Sequence, residues 1–192
     1  GLNHVPTALL ALLALIYPVL VYFGLLHFPP KWVGLAIAAL LILRLVLLQR
    51  KLTAELRHSL YPAMLLAIGC ALASVFLNHA GALKLIPVVI NFTCLIGFAT
   101  TLRHPPSMIE RFARLQEPEF SDTAIAYTRK VTMVWCGFFI LNGSASLYTA
   151  LFTDMATWTL YNGLIAYLFL GLLFVVEYCV RLRVKARAAK NP

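Results

Sequence analysis

The 192-residue chain is 61% hydrophobic and 12% charged, with a mean hydropathy of +0.85. A soluble domain of this size cannot bury so much apolar surface, so a fold solvated by water alone is excluded. The net charge of +9 is dealt out between apolar runs and forms no single basic stripe, which argues against a nucleic-acid-binding module.

Six runs approach the ~20 apolar residues that a hydrocarbon core of about 30 Å requires. They cover about residues 7–26, 31–48, 60–77, 82–102, 131–152 and 158–180. The first contains Pro18 and ends sharply at His27, Phe28, Pro29 and Pro30. It has no basic leader and no small-residue cleavage site, so it reads as a retained span, although the start at Gly1 suggests trimming. Arg44 can snorkel from the second run toward its basic end. Asn78, His79, Ala80 and Gly81 mark a tight turn after the third.

All of the 16 Lys and Arg except Lys31 and Lys84 fall in alternate gaps or next to them. Arg50, Lys51 and Arg57 lie in one gap. Arg103, Arg111, Arg114, Arg129 and Lys130 lie in the next basic gap, and Arg181, Arg183, Lys185, Arg187 and Lys190 at the C-terminus. The positive-inside bias then places these segments and both termini in the cytoplasm. The expected architecture is all-α: one transmembrane domain over residues 1–192, six helices arranged as three antiparallel hairpins. Trp32, Trp135 and Trp158 fall near span ends, where an indole can keep its N–H wet.

Residues 103–130 form the only long connection. Ser107 and Glu110 match a capping box, and Met108, Ile109, Phe112 and Leu115 follow at helical spacing, with Arg111 and Arg114 on the other face. A short interfacial amphipathic helix is expected over about 107–116, stopped by Pro118. Ser121 or Asp122 can cap the next helix, which then runs for about 30 residues, or ~45 Å, and protrudes past the hydrocarbon.

Polar groups at membrane depth are the first place to look for function. Asn91 lies mid-run, and Asn142 and Ser146 share a helix face. Gly143 would let a neighbouring backbone approach. Asn91, Asn142, Ser146 and Tyr148 are therefore the candidate polar pocket, against the blander reading of interhelical hydrogen bonds. Tyr161 and Asn162 fall near the outer start of the sixth run. Glu177 is expected to pair with Arg181 one turn on. Cys70, Cys94, Cys136 and Cys179 read as reduced packing residues. The histidines His4, His27, His58, His79 and His104 lack metal spacing. No nucleotide-binding, protease or hydrolase motif is present, and neither a cofactor nor a catalytic residue is expected.

The stretch Arg111-Phe112-Ala113-Arg114-Leu115, then Glu117-Pro118, Tyr127 to Thr132, Trp135, Phe138-Phe139 and Asn142 resembles an uncharacterised family of bacterial inner-membrane proteins. Its members are commonly encoded beside aryl-polyene or fatty-acid-like biosynthesis enzymes. The resemblance covers about a fifth of the chain and marks Glu117, Tyr127, Arg129, Thr132, Trp135 and Asn142. The ketosynthase label carried by some members does not fit a chain without a thiolase-type domain. Trp135, Phe138, Phe139, Leu147-Tyr148, Ala150 and Trp158 are more weakly similar to intracellular septation protein A. The resemblances imply a bacterial inner-membrane location, with membrane lipids and cytoplasmic acyl-chain biosynthesis enzymes as partners.

These observations support a non-catalytic module that anchors or organises such machinery or receives its product. Arg111, Arg114, Glu117, Tyr127, Arg129, Thr132 and Trp135 are its candidate cytoplasmic interface. A lipid or amphiphile transporter is the second reading, with Pro18, Pro62 and Pro87 as possible hinges. A membrane-embedded transferase is the third, with Arg129 forking onto an anion beside Glu117 and Tyr127.

Overall fold

A computed structural model describes residues 17–49, 54–114 and 121–188. These form α1 (Tyr17–His27), α2 (Pro30–Gln49), α3 (Ala54–Leu77), α4 (Gly81–Lys84), α5 (Ile86–Arg103), α6 (Met108–Arg114), α7 (Asp122–Phe152), α8 (Met155–Leu160), a π-helical turn (Tyr161–Ile165) and α9 (Ala166–Ala188). No strand occurs among the described residues. Residues 7–16 of the first expected span, Arg50, Lys51, Leu115, Glu117, Pro118 and Lys190 lie outside them.

Three stretches are long and apolar enough to cross a membrane: Gly81–Arg103, Asp122–Phe152 and Met155–Val184. Tyr17–His27, Pro30–Leu43 and Met64–Leu77 are shorter apolar segments. The described residues thus form an all-helical fold compatible with a membrane protein.

Packing follows small residues. A β-carbon on Gly34 would lie 2.8 Å from the Ala71 carbonyl oxygen, so glycine is what lets the backbones of α2 and α3 approach each other. Gly143 plays the same part between α7 and α5, where a β-carbon would lie 3.1 Å from that of Asn91. The closest pairings are α5 with α7, α2 with α3, and α3 with α5. Helices α1 and α2 touch less, and α9 leaves most of its surface uncovered. Tight packing therefore lies elsewhere than within the expected first and third hairpins. The reason is where the small residues sit: short connections bring neighbours close, but side-chain size decides which helices interlock.

The core gathers Val21, Val33, Ile37, Ala71, Leu83 and Trp158 from α1, α2, α3, α4 and α8. Trp158 is fully buried there, and its indole N–H donates to the Lys84 carbonyl over 3.1 Å. Trp135 is also buried, ringed by Phe98, Phe138, Phe139 and Phe174, the last with its ring centre 4.8 Å away. The interfacial reading is corrected for two of the three tryptophans: aromatic neighbours cover Trp135, and a carbonyl freed at a helix break satisfies the indole of Trp158. Trp32 alone of the three is exposed, with Lys31 over its ring.

Turn chemistry matches local expectation. Asn78 adopts φ 47°, the left-handed conformation that asparagine tolerates at a helix end, and its side-chain oxygen accepts from the Lys31 amide at the start of α2. Ser121 caps the 31-residue α7 through the Ala124 amide. The Ser107–Glu110 box is half formed. The glutamate accepts from the Ser107 amide, but the serine oxygen is buried without a hydrogen-bond partner.

Candidate functional site

Tight α5–α7 packing at Gly143 brings Asn91 and Asn142 into contact. Tyr161 O–H donates to Asn142 Oδ1 over 2.9 Å, Asn142 Nδ2 donates to Asn91 Oδ1 over 3.0 Å, and Asn91 Nδ2 donates to the Pro87 carbonyl over 2.8 Å. The result is a relay of uncharged groups joining α5, α7 and the π-helical turn. Each of the two amides keeps a second N–H and a second acceptor lone pair.

Ser146 belongs to a separate cluster. Its hydroxyl donates to Asn162 Oδ1 over 2.8 Å, and Asn162 Nδ2 donates to Thr149 Oγ1 and to the Trp158 carbonyl. Both N–H groups of Asn162 are therefore used within the protein. Tyr148 points away from either cluster; it is exposed and stacks near Phe152. Of the four expected pocket residues, the structure joins Asn91 to Asn142, ties Ser146 to Asn162, and sets Tyr148 outside.

Beside the relay is a cavity of about 660 Å³, within the ~300–1,000 Å³ usual for small-molecule sites. Its walls come from α1, α2, α5, α7, the π-helical turn and α9, and are mostly aliphatic and aromatic. Asn91, Asn142 and Asn162 supply amide groups to it, and Tyr17 and Tyr167 supply phenols. Among the described residues, no Asp, Glu, Lys, Arg or His lines it. Leu20, Phe28, Trp32 and Leu40 line it and are also exposed, so the cavity opens between helices along α1 and α2.

The basic end forms a second assembly. The α6 amides at Met108 and Ile109 donate to Thr101 Oγ1 over 2.9 Å and to Thr132 Oγ1 over 3.3 Å. Side chains of α5 and α7 thus satisfy amides that a helix start leaves without partners. Glu110 is buried and takes both Arg114 donors, while Arg111 Nε donates to the Pro106 carbonyl. Arg129 donates to the Leu102 carbonyl over 2.8 Å, where α5 ends. Glu177 forms the expected two-pronged pair with Arg181 at 3.0 and 2.8 Å, and Tyr127 O–H lies 3.3 Å from the same carboxylate. Arg111, Arg114, Tyr127, Arg129, Thr132 and Trp135 therefore meet at one end, each with a structural partner; Trp135 is buried in its aromatic cluster. Phe112 stays exposed on α6.

Sequence reasoning missed Tyr17, Tyr161 and Asn162 as site residues. Tyr161 and Asn162 were legible as polar groups near the sixth run, but the π-helical turn that rotates both toward α7 has no composition of its own. No protein-family model, curated protein or solved structure matches this chain.

Proposed function

We propose that the chain is a non-catalytic module of a bacterial inner membrane, crossing six times with both ends in the cytoplasm, and that it takes the apolar chain of a lipid-like molecule into the cavity. The observation that carries this reading is the pairing of an apolar, laterally open cavity of about 660 Å³ with a few convergent amides. A site that opens sideways between helices admits a ligand from the bilayer, where long-chain molecules are concentrated. The charge bias between apolar runs supports the orientation. Its polar groups are amides and phenols, several of them bonded to one another, which suit holding a ligand better than attacking it.

Arg111 and Arg114 each hold structural partners, so the cavity carries the reading better than docking of acyl-chain enzymes at the basic end does. Receipt of a product made by such enzymes remains compatible with it. Transport draws on the same cavity, and the helix break at Pro87 on its wall favours movement there. Flux of a labelled lipid in proteoliposomes separates carriage from retention.

The test is saturable binding of an environment-sensitive alkyl probe to the purified full chain. Ala36 lines the cavity and is exposed, so Ala36→Phe narrows the mouth without disturbing the core. At least a tenfold loss of affinity is expected in that variant. Absence of saturable binding to the unaltered protein would overturn the reading. Tags at the two ends are expected to be reachable from the cytoplasmic face alone, and access from opposite faces would refute the six-crossing topology.

A further inference from the structure

The cavity contains its own statement about the ligand's polar end. Among the described residues that line it there is no charged side chain to balance an ion. An anion or ammonium brought here would lose its water and gain no counter-charge, which is the costliest exchange a low-dielectric site can impose. A pure hydrocarbon fails in the opposite way, because it leaves the spare N–H groups of Asn91 and Asn142 facing an apolar occupant.

Asn162 does not share this openness. Its oxygen accepts from Ser146 and its two N–H groups go to Thr149 and Trp158. Asn91 spends one N–H on the Pro87 carbonyl, and Asn142 spends one on Asn91 Oδ1. Donor and acceptor capacity therefore remains side by side on these two amides. A hydroxyl, carboxamide or carbonyl oxygen is matched by that pattern. Tyr161 fixes its sense: by donating to Asn142 Oδ1, it directs the Nδ2 group of Asn142 toward Asn91.

Depth points the same way. Asn91 lies midway along the apolar stretch Gly81–Arg103. A ligand reaching it must bring its polar group to the middle of the bilayer, where phosphate and ammonium headgroups are strongly disfavoured and a single neutral group is tolerated.

Resting on the reading of the cavity as a chain-binding site, we propose that it selects a long apolar molecule with one small uncharged hydrogen-bonding group, and that Asn91 and Asn142 read that group.

The experiment uses the full chain in nanodiscs at pH 8. It compares displacement of a bound alkyl probe by hexadecanol and hexadecanamide with displacement by hexadecyl phosphate and hexadecyltrimethylammonium, at matched mole fraction. The neutral pair is expected to displace at least tenfold better. Asn142→Leu is expected to shrink that preference below threefold while probe binding persists. Tyr161→Phe removes only the hydroxyl that orients Asn142 and is expected to halve the preference or more, so the test survives misfolding of the leucine variant. Equal or better displacement by a charged ligand overturns the proposal and leaves chain binding standing. A neutral preference that both variants retain overturns the assignment to the two asparagines. Failure of every ligand and of the probe to bind refutes the cavity reading itself.

Discussion

The hydroxyl of Tyr17 lies 2.6 Å from the carbonyl oxygen of Leu83. That carbonyl sits four residues before Pro87, which has no N–H to give it and whose ring crowds it. A backbone N–H at the end of α4 also donates to this carbonyl, so the tyrosine from α1 fills its second acceptor position, the one the N–H of residue 87 would otherwise reach, and α1 is tied to the α4–α5 break as a consequence. Tyr17 also meets Trp158 edge to face, with ring centres 6.3 Å apart.

Tyr17→Phe is expected to lower stability by about 1 kcal/mol, the usual net worth of such a bond. In a Pro87→Ala background residue 87 regains an N–H that can take the tyrosine's place as the second donor to Leu83, and the same change is expected to cost less. Unfolding of the four proteins of this cycle in mixed detergent checks the coupling. An equal cost in both backgrounds would show that the hydroxyl serves something other than the proline gap.

Thr101 and Thr132 act as surrogate caps for α6. Thr101→Val removes the acceptor of the Met108 amide, and Thr132→Val that of the Ile109 amide. Each loss is expected to cost about 1 kcal/mol, as for a lost helix cap. The distinguishing readout is residue-specific: amide exchange at Met108 rises in the first variant and at Ile109 in the second. Exchange that rises uniformly along α6 in both would point to general loosening.

This cap explains how far the sequence reached at the basic end. Ser107 and Glu110 announced a helix start, Ser121 announced the next one, and the spacing of Glu177 and Arg181 announced their pair; all are local patterns that a few residues determine. The threonine oxygens that satisfy α6 come from positions 7 and 23 residues away, and no local pattern encodes them. Asn91 and Asn142 were legible as polar groups in apolar runs, and Gly143 as a close-approach point between helices. Ser146 was placed with them because it shares the face of Asn142, yet the π-helical turn delivers Asn162 to it. Tyr148 failed for a simpler reason: six residues from Asn142 are about 1.7 turns of helix, which sets it about 120° around from the Asn142 face, and its ring faces outward beside Phe152. Apolar runs told little about which helices interlock, since every one of them is apolar on several faces.

Gly143 offers a test of that interlocking with opposed terms. Gly143→Ala gains about 1 kcal/mol of helix propensity and adds a contact at 3.1 Å to the Asn91 β-carbon, which a shift of a few tenths of an ångström relieves. A nearly neutral outcome is expected. Gly143→Leu has no such relief and should cost about 1–3 kcal/mol as overpacking. By parting α5 from α7 it should also break the Asn142–Asn91 bond, so alkyl-probe affinity falls together with stability. Tolerance of leucine with unchanged binding would mean that the two helices do not need this approach.

Asp154 begins α8 by accepting from the Thr157 amide over 2.8 Å. Bonds from the Thr157 side chain and backbone hold its carboxyl below the ordinary aspartate range, with a smaller contribution from Lys84. The sign follows from that direction. A group whose folded pKa is depressed contributes stability above its unfolded value of about 4 and loses it as pH falls through the lower folded value. Protonation weakens the cap just where Trp158, one turn along, is seated in the core. Amide protection at Thr157 is therefore expected to decline below about pH 4 in the unaltered chain. Asn at position 154 still accepts from the amide but does not titrate, so Asp154→Asn should flatten that decline. Lys84 Nζ donates to the Thr153 carbonyl over 2.9 Å, and this tie does not depend on the carboxylate, so the end of α7 should keep its protection throughout the titration. Parallel loss at α7 and α8 would place the titrating group somewhere other than Asp154.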